Sequence, residues 1–192
     1  QTCALPIFPL VCARCVVRLG GGAEIARKVE RWRRILESAA KQSGRLRFTA
    51  LHAPMEFAEW TRWEREGAPP DFGISGEPAR VAGGEAPRPG LWIAQPGARV
   101  SLFDEALRWH EANRFRPGRA PLRPPAAAAA AGGPPRAVVA IGPEGGFSPG
   151  ELERAREEGF EAVRLPGATL RVATAAVAAV AAIQLALENS SE

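Results

Sequence analysis

Apolar residues recur between positions 23 and 42 at spacings of three and four, the period of one helix face. They are Ile25, Val29, Trp32, Leu36 and Ala39. Arginine and glutamate fill the opposite face, and Ser43 and Gly44 follow as an ending signal. The pattern predicts an amphipathic helix over 23–42.

Shorter elements are predicted on either side of this helix. They are a strand at Val16, Val17 and Leu19, a helix over 54–66 with Phe57, Trp60 and Trp63 on one side, a strand over 91–94 and a helix over 101–112. Residues 67–90 are polar and rich in glycine and proline. Segment 116–136 holds six prolines and six consecutive alanines. We expect this segment to be a surface excursion without packed structure.

The C-terminal third has the order of an α/β unit. The apolar run at 137–141 predicts a parallel strand buried on both faces, followed by a glycine-rich loop at 142–146. Ser148, Pro149 and Glu151 form the signature of a helix start, and that helix should end at Gly159. A strand over 162–165, a loop over 166–169 and a helix over 170–187 complete the pattern.

The helix over 170–187 is apolar nearly all round. Such a helix is normally buried on more than one side. In a chain of this size, the pattern predicts that a partner subunit covers part of it.

Composition adds broad limits. Hydrophobic residues make up 46% and charged residues 24% of 192 residues, which excludes intrinsic disorder over most of the chain. The net charge is +4, and Lys28 and Lys41 are the only lysines among 25 basic residues. The arginine excess fits either the codon bias of a GC-rich genome or an anionic partner such as nucleic acid.

Cysteine usage favours a reducing, cytoplasmic location. Cys3, Cys12 and Cys15 all lie near the start, and His52 and His110 are isolated from them and from each other. We therefore predict no metal site. No apolar run reaches the roughly 18 residues of a membrane span, so no membrane partner is expected. Residues 1–10 read poorly as the start of a domain and are expected to be non-native or disordered.

The two C-terminal loops are the candidate functional site, because ligands of open α/β sheets bind at the carboxyl ends of the strands. The segment lacks the lysine of a Walker phosphate loop, and Gly142-Pro143-Glu144-Gly145-Gly146 does not follow the dinucleotide-binding spacing. The five residues form either a plain turn or a loop that places a glutamate and exposed backbone against a ligand.

The run IGPEGGFSPGELERAREEGFEAVRLPGATLRVATAAVAAVAAIQ resembles the C-terminal half of the RsmE family of 16S ribosomal RNA uridine-N3 methyltransferases, in the SPOUT superfamily. That family carries IGPEGGFS and then an LG-x-x-ILRTETA box. Residues 30–45 are similar to its ER-x-x-x-I…AA-x-QSGR helix, and Arg14-Cys15-Val16-Val17 is similar to its RSVV strand. The resemblance covers about residues 11–188.

The resemblance implies an α/β domain over 11–188, with a parallel sheet flanked by helices and a C-terminal trefoil knot, an insert at 116–136 and a tail at 189–192. It implies a homodimer formed through the C-terminal helix. Family members also carry an N-terminal barrel similar to PUA domains, followed by a first strand and helix of the catalytic domain. This chain is expected to begin after both.

The resemblance also implies S-adenosylmethionine as cofactor and the 16S RNA of the small ribosomal subunit as partner. The residues implied to line the cofactor cleft are Ile141, Gly142, Glu144, Gly145, Gly146, Leu165, Gly167, Leu170 and Thr174. Arg171 matches the arginine of the LRTETA box and is implied to be catalytic, by stabilising the uracil anion or by holding the phosphate of the target nucleotide. Val172 and Ala173 depart from the family pattern, which has threonine and glutamate there.

Two other functions fit the sequence. One is a SPOUT methyltransferase acting on transfer RNA or on a 2′-hydroxyl group. The other is a non-catalytic RNA- or ribosome-binding module that uses a basic face. That face would comprise Arg31, Arg33, Arg34, Arg45 and Arg47.

Overall fold

The computed structural model of the chain describes residues 6–16, 20–44, 49–66, 89–113, 137–167 and 169–189. The strands are β1 (Leu10–Val11), β2 (Met55–Glu56), β3 (Gly90–Ala94), β4 (Val100–Ser101), β5 (Ala137–Ile141) and β6 (Glu161–Arg164). The helices are α1 (Gly22–Gln42), α2 (Phe57–Glu66), α3 (Leu102–Ala112), α4 (Pro149–Glu157) and α5 (Val172–Asn189).

Among the described residues, four strands form a parallel sheet in the order β4-β6-β3-β5. Ala94 of β3 is paired with Ile141 on one side and with Val163 on the other. Strands β1 and β2 form a separate parallel pair. The predicted α/β class with a parallel sheet flanked by helices is confirmed.

Strand β6 lies between two strands that are consecutive in the sequence. Ala94 and Val100 both pair with Val163, from opposite flanks of β6. The connection at 95–99 therefore carries the chain from one side of β6 to the other.

Helices cover both faces of the sheet. Neighbouring residues of β3 point to opposite faces and therefore join different buried clusters. Ile93 belongs to one buried cluster and Trp92 to the other. The first cluster contains Cys12, Met55, Phe57, Trp60, Ile93, Ala140, Phe147, Ala155 and Phe160. The second contains Trp92, Leu102, Ala106, Val163, Ala179, Ala182 and Ala186, and it joins α3 and α5 to the sheet.

The predicted helices and the later strands form, some with shifted ends, but β5 is half-buried except at Ala140 and is not buried on both faces as predicted. Helix α1 begins one residue earlier than predicted, and α2 begins at Phe57 because Met55 and Glu56 pair with β1. Helix α5 begins at Val172 instead of 170, and β6 covers Glu161–Arg164 instead of 162–165. Segments 67–88 and 114–136, which include the Pro/Ala-rich insert, lie outside the described residues.

The strand predicted at Val16 does not form. Val16 is 79% exposed and lies in a bend, not in a strand, while Val17 and Leu19 lie outside the described residues. Helix α5 leaves two large apolar side chains exposed within this chain, Val177 at 71% and Leu185 at 56%. Its buried side is instead a row of alanines, Ala175, Ala179, Ala182 and Ala186.

Part of the stretch 1–10 also has a structural role that the sequence did not indicate. Ile7 bridges to Leu51, and the ring of Phe8 stacks on His52 with 4.1 Å between centroids. Leu10 begins β1. Residues 1–5 lie outside the described residues. None of the described helices is both long and apolar enough to cross a membrane.

Candidate functional site

Three loops meet at the carboxyl edge of the sheet. Since Ala94 is paired with both Ile141 and Val163, the ends of β5 and β6 lie on either side of the end of β3. With about 4.8 Å between neighbouring strands, Ile141 and Val163 are about 10 Å apart. The loops that follow these strands, at 95–99, 142–146 and 165–171, therefore lie at the same edge of the sheet.

The first loop is a tight turn that is followed by a buried phenylalanine. The amide of Gly146 donates to the carbonyl of Pro143 at 2.8 Å, and Gly146 has φ of +67°. Phe147 is buried directly after the turn, whereas Glu144 and Gly145 are exposed. The positive φ favours glycine at position 146. The loop thus presents its backbone and one carboxylate at the sheet edge.

The helix after this loop is fixed by its predicted cap. The hydroxyl of Ser148 accepts from the amide of Glu151 at 3.3 Å, and the carboxylate of Glu151 accepts from the amide of Ser148 at 2.7 Å. Pro149 occupies the first turn. The capping box is confirmed in full, and it sets the direction in which the chain leaves the loop.

The second loop carries the predicted catalytic arginine. Leu165 is half-buried against the second core cluster, and Gly167 has φ of +90°. Arg171 is exposed, and its carbonyl accepts from the amide of Ala175 at 2.8 Å to start α5. Within the described residues, its guanidinium makes no hydrogen bond or ion pair, so its charge is available to a ligand. Ala168 lies outside the described residues.

Leu170 and Thr174 stand beside Arg171. Leu170 is half-buried, whereas Thr174 is exposed in the first turn of α5. Val172, where the family pattern has threonine, is 37% exposed. The side chains at 171, 172 and 174 are therefore all accessible near the start of the helix.

The third loop, at 95–99, was missed by the sequence reasoning. The amide of Gln95 donates to the carbonyl of Val163 at 2.9 Å, and Gly97 has φ of +86°. Pro96-Gly97 after an apolar strand is a readable turn signal. Its place at the site depends on the pairing of β3 with both β5 and β6, which no local pattern reveals.

The Cys12 thiol is not activated for nucleophilic chemistry. Burial, reinforced by the nearby Glu151 carboxylate, raises the pKa of the Cys12 thiol to about 12. Cys12 therefore stays protonated at neutral pH. In the part of the chain that is described, no group of three or more His, Cys, Asp or Glu side chains is placed to hold a metal ion.

The basic face considered above is only partly described. Arg31 and Arg33 are exposed on α1, and Arg34 forms an ion pair with Glu30 at 3.3 Å. Arg45 and Arg47 lie outside the described residues.

A comparison with protein families decides the assignment. The model of the RNA methyltransferase domain matches residues 4–68 and 114–184, which include the first and second loops. The chain belongs to this RNA methyltransferase family.

Individual relatives agree with the predicted resemblance. The chain is 30% identical over 171 residues to ribosomal RNA small subunit methyltransferase E of Mycobacterium bovis. The aligned region is 89% of this chain and 49% of that protein. The chain therefore spans about half the length of the curated relatives that it matches.

Solved structures show the same fold. A small subunit methyltransferase E from Neisseria gonorrhoeae, bound to S-adenosyl methionine, is 26% identical with a TM-score of 0.57. It matches over 93% of this chain and 55% of its own. A Legionella pneumophila methyltransferase in complex with the cofactor SAM, at 24% identity, has a TM-score of 0.59 over 95% of this chain and 55% of its own.

Proposed function

We propose that this RNA methyltransferase domain binds S-adenosylmethionine at the three-loop edge and methylates N3 of a uridine in small-subunit ribosomal RNA. The observation that carries the proposal is the family match, which contains both glycine loops and the start of α5. The identity to the Mycobacterium methyltransferase E supports the small-subunit target.

The residues at the edge suit an adenosine-containing cofactor. Gly146 and Gly167 take backbone conformations that side chains disfavour, and glycines let the chain approach a flat ligand closely. In this proposal the first loop contributes Ile141, Gly142, Glu144, Gly145 and Gly146. The second contributes Leu165, Gly167 and Leu170, and α5 contributes Thr174. Leu165 and Ile141, both packed on the second core cluster, would give the site an apolar floor.

The cofactor supplies an electrophilic methyl group, and the protein must place the uracil in line with it. A bond from N3 to the methyl carbon forms as the sulfur–carbon bond breaks, and the N3 proton leaves to water. Positioning supplies most of the rate enhancement for such a displacement. Arg171 is an exposed cation at the second loop and would stabilise the negative charge on the uracil oxygens or hold the nucleotide phosphate.

The trefoil knot belongs to the same proposal. Strand β6 lies between β3 and β4, which are joined only by residues 95–99. Helix α5, which follows β6, packs against α3, which follows β4. This arrangement supports a chain that passes through the loop formed by β3, β4 and α3.

A homodimer through α5 and a cytoplasmic location are also proposed. Val177 and Leu185 are large apolar side chains left exposed on a helix whose alanine side is already packed. A second copy of the same helix would bury them. The cytoplasm is the compartment in which ribosomal RNA would be met.

Calorimetry with S-adenosylmethionine tests the proposed site. We expect the chain to bind it, and Gly167→Ala to weaken binding at least fivefold, because an alanine at φ of +90° forces the loop to rearrange. Gly150→Ala is the matched control, since Gly150 lies in α4 with open space around its position. A folded chain that does not bind the cofactor would instead favour the non-catalytic RNA-binding module.

A further inference from the structure

The turn at residues 12–15 reaches the first loop from the other end of the chain. The Nη1 atom of Arg14 donates to the carbonyl of Gly145 at 3.1 Å and to the carbonyl of Phe147 at 3.5 Å. A Cβ atom on Gly145 would lie 3.1 Å from the Cβ of Arg14. The approach is therefore close enough to favour glycine at position 145.

A second contact ties the same turn to the start of α4. The amide of Ala13 donates to one carboxylate oxygen of Glu151 at 2.8 Å, while the other oxygen accepts from the amide of Ser148. Glu151 therefore serves the helix cap and the long-range contact together. The C-terminal end of the loop and the start of α4 are thus held by groups that lie more than a hundred residues away in the sequence.

The turn that carries Arg14 is held in place by burial and by its own hydrogen bonds. Cys12 is buried in the first core cluster together with Phe147. The amide of Cys15 donates to the carbonyl of Cys12 at 3.1 Å, and the amide of Cys12 donates to the sulfur of Cys15 at 3.3 Å. Arg14 is thus carried on a closed turn whose position the core fixes.

We propose that Arg14 is a positioning residue that holds the backbone of the first loop in its cofactor-binding conformation. This inference rests on the proposed function for its cofactor. The loop contains Gly145 and Gly146, which have little conformational preference of their own. Hydrogen bonds from a charged donor fix the carbonyl groups of Gly145 and of Phe147, which directly follows the loop. The cofactor therefore meets an ordered loop and does not bear the cost of ordering it.

Variants at Arg14 separate this role from general stability. Arg14→Ala should raise the Kd for S-adenosylmethionine about tenfold, and in the active protein it should raise KM for the cofactor with kcat within about twofold. Arg14→Lys keeps one charged donor and should recover part of the affinity. Arg156→Ala is the control, since Arg156 is exposed on α4 and pairs with Glu153 at 3.4 Å.

Amide hydrogen exchange measures how well ordered the first loop is in the absence of the cofactor. We expect the amide of Gly146 to exchange about tenfold faster in Arg14→Ala and at the wild-type rate in Arg156→Ala. Unchanged exchange and unchanged Kd in a folded Arg14→Ala chain would overturn the inference. Failure of the wild-type chain to bind S-adenosylmethionine would refute the proposed function and the cofactor role of Arg14, whereas the exchange result alone decides whether Arg14 orders the loop.

Discussion

A Cβ atom on Gly142 would lie 3.1 Å from the ring of Phe147. Phe147 is 3% exposed, and its ring packs on Phe57 with 5.1 Å between centroids, so the ring has little room to retreat. We expect Gly142→Ala to lower the free energy of unfolding by about 1–2 kcal/mol through overpacking. Urea denaturation of this variant beside Gly150→Ala measures the effect. Equal stabilities of the two variants would show that the loop relaxes freely.

Removing the charge at position 171 should separate binding from catalysis. We expect Arg171→Ala to bind S-adenosylmethionine within about twofold of wild type and to lose about a hundredfold in methylation rate, the usual size of a lost electrostatic contact in a transition state. Arg171→Lys should keep part of the rate. Single-turnover methylation of small-subunit RNA is the measurement, with Arg156→Ala as the control for net charge. Near-normal methylation by Arg171→Ala would remove Arg171 from the mechanism.

The exposed side of α5 should control the oligomeric state. Placing a charge at Val177, as in Val177→Glu, should convert a dimer to a monomer, because an unpaired carboxylate would be buried in the interface. Ile35→Glu is the matched control, since Ile35 is 55% exposed on α1. Sedimentation velocity distinguishes the two states. A dimer that survives Val177→Glu, or a wild-type monomer, contradicts an interface at this helix.

The raised pKa of Cys12 predicts that the folded chain loses stability in alkaline solution. Its pKa is about 12 in the folded chain against an ordinary value of 9.0, so between these values the unfolded chain releases a proton that the folded chain keeps. Stability is therefore greatest below pH 9 and falls as the pH rises toward 12. Tyrosine is absent and lysines are few, so the background titration is small.

Denaturation at pH 8.5 and 10.5 measures this loss. The wild-type chain should lose about 2 kcal/mol more than Cys12→Ala over that interval. Parallel losses in both chains would show that Cys12 does not titrate abnormally.

The sequence predicted the structural features that depend on residues close together in the chain. Ser148, Pro149 and Glu151 specify the start of α4 through contacts three residues apart, and the structure reproduces each of them. The bond from Ala13 to Glu151 spans 138 residues and leaves no local pattern. Ile7 and Phe8 were missed for the same reason, because their partners Leu51 and His52 are defined only by tertiary packing.

The candidate site likewise has parts that the sequence located and a part that it did not. The loops at 142–146 and 165–171 carry motifs that resemble a known family, so the sequence locates them. The loop at 95–99 joins them only because β6 inserts between β3 and β4. The exposure of Val177 on α5 was likewise not readable, since a helix rich in alanine and valine has no clear polar face.

Nucleoside analysis of ribosomal RNA shows directly whether this protein methylates N3 of a uridine. Small subunits from cells that lack the corresponding methyltransferase would be incubated with the protein and S-adenosylmethionine labelled in its methyl group, and the digested RNA separated by mass. We expect labelled 3-methyluridine in the 16S RNA, with the label strongly reduced by Arg171→Ala. Label in another nucleoside, or none from a protein that binds the cofactor, would contradict it.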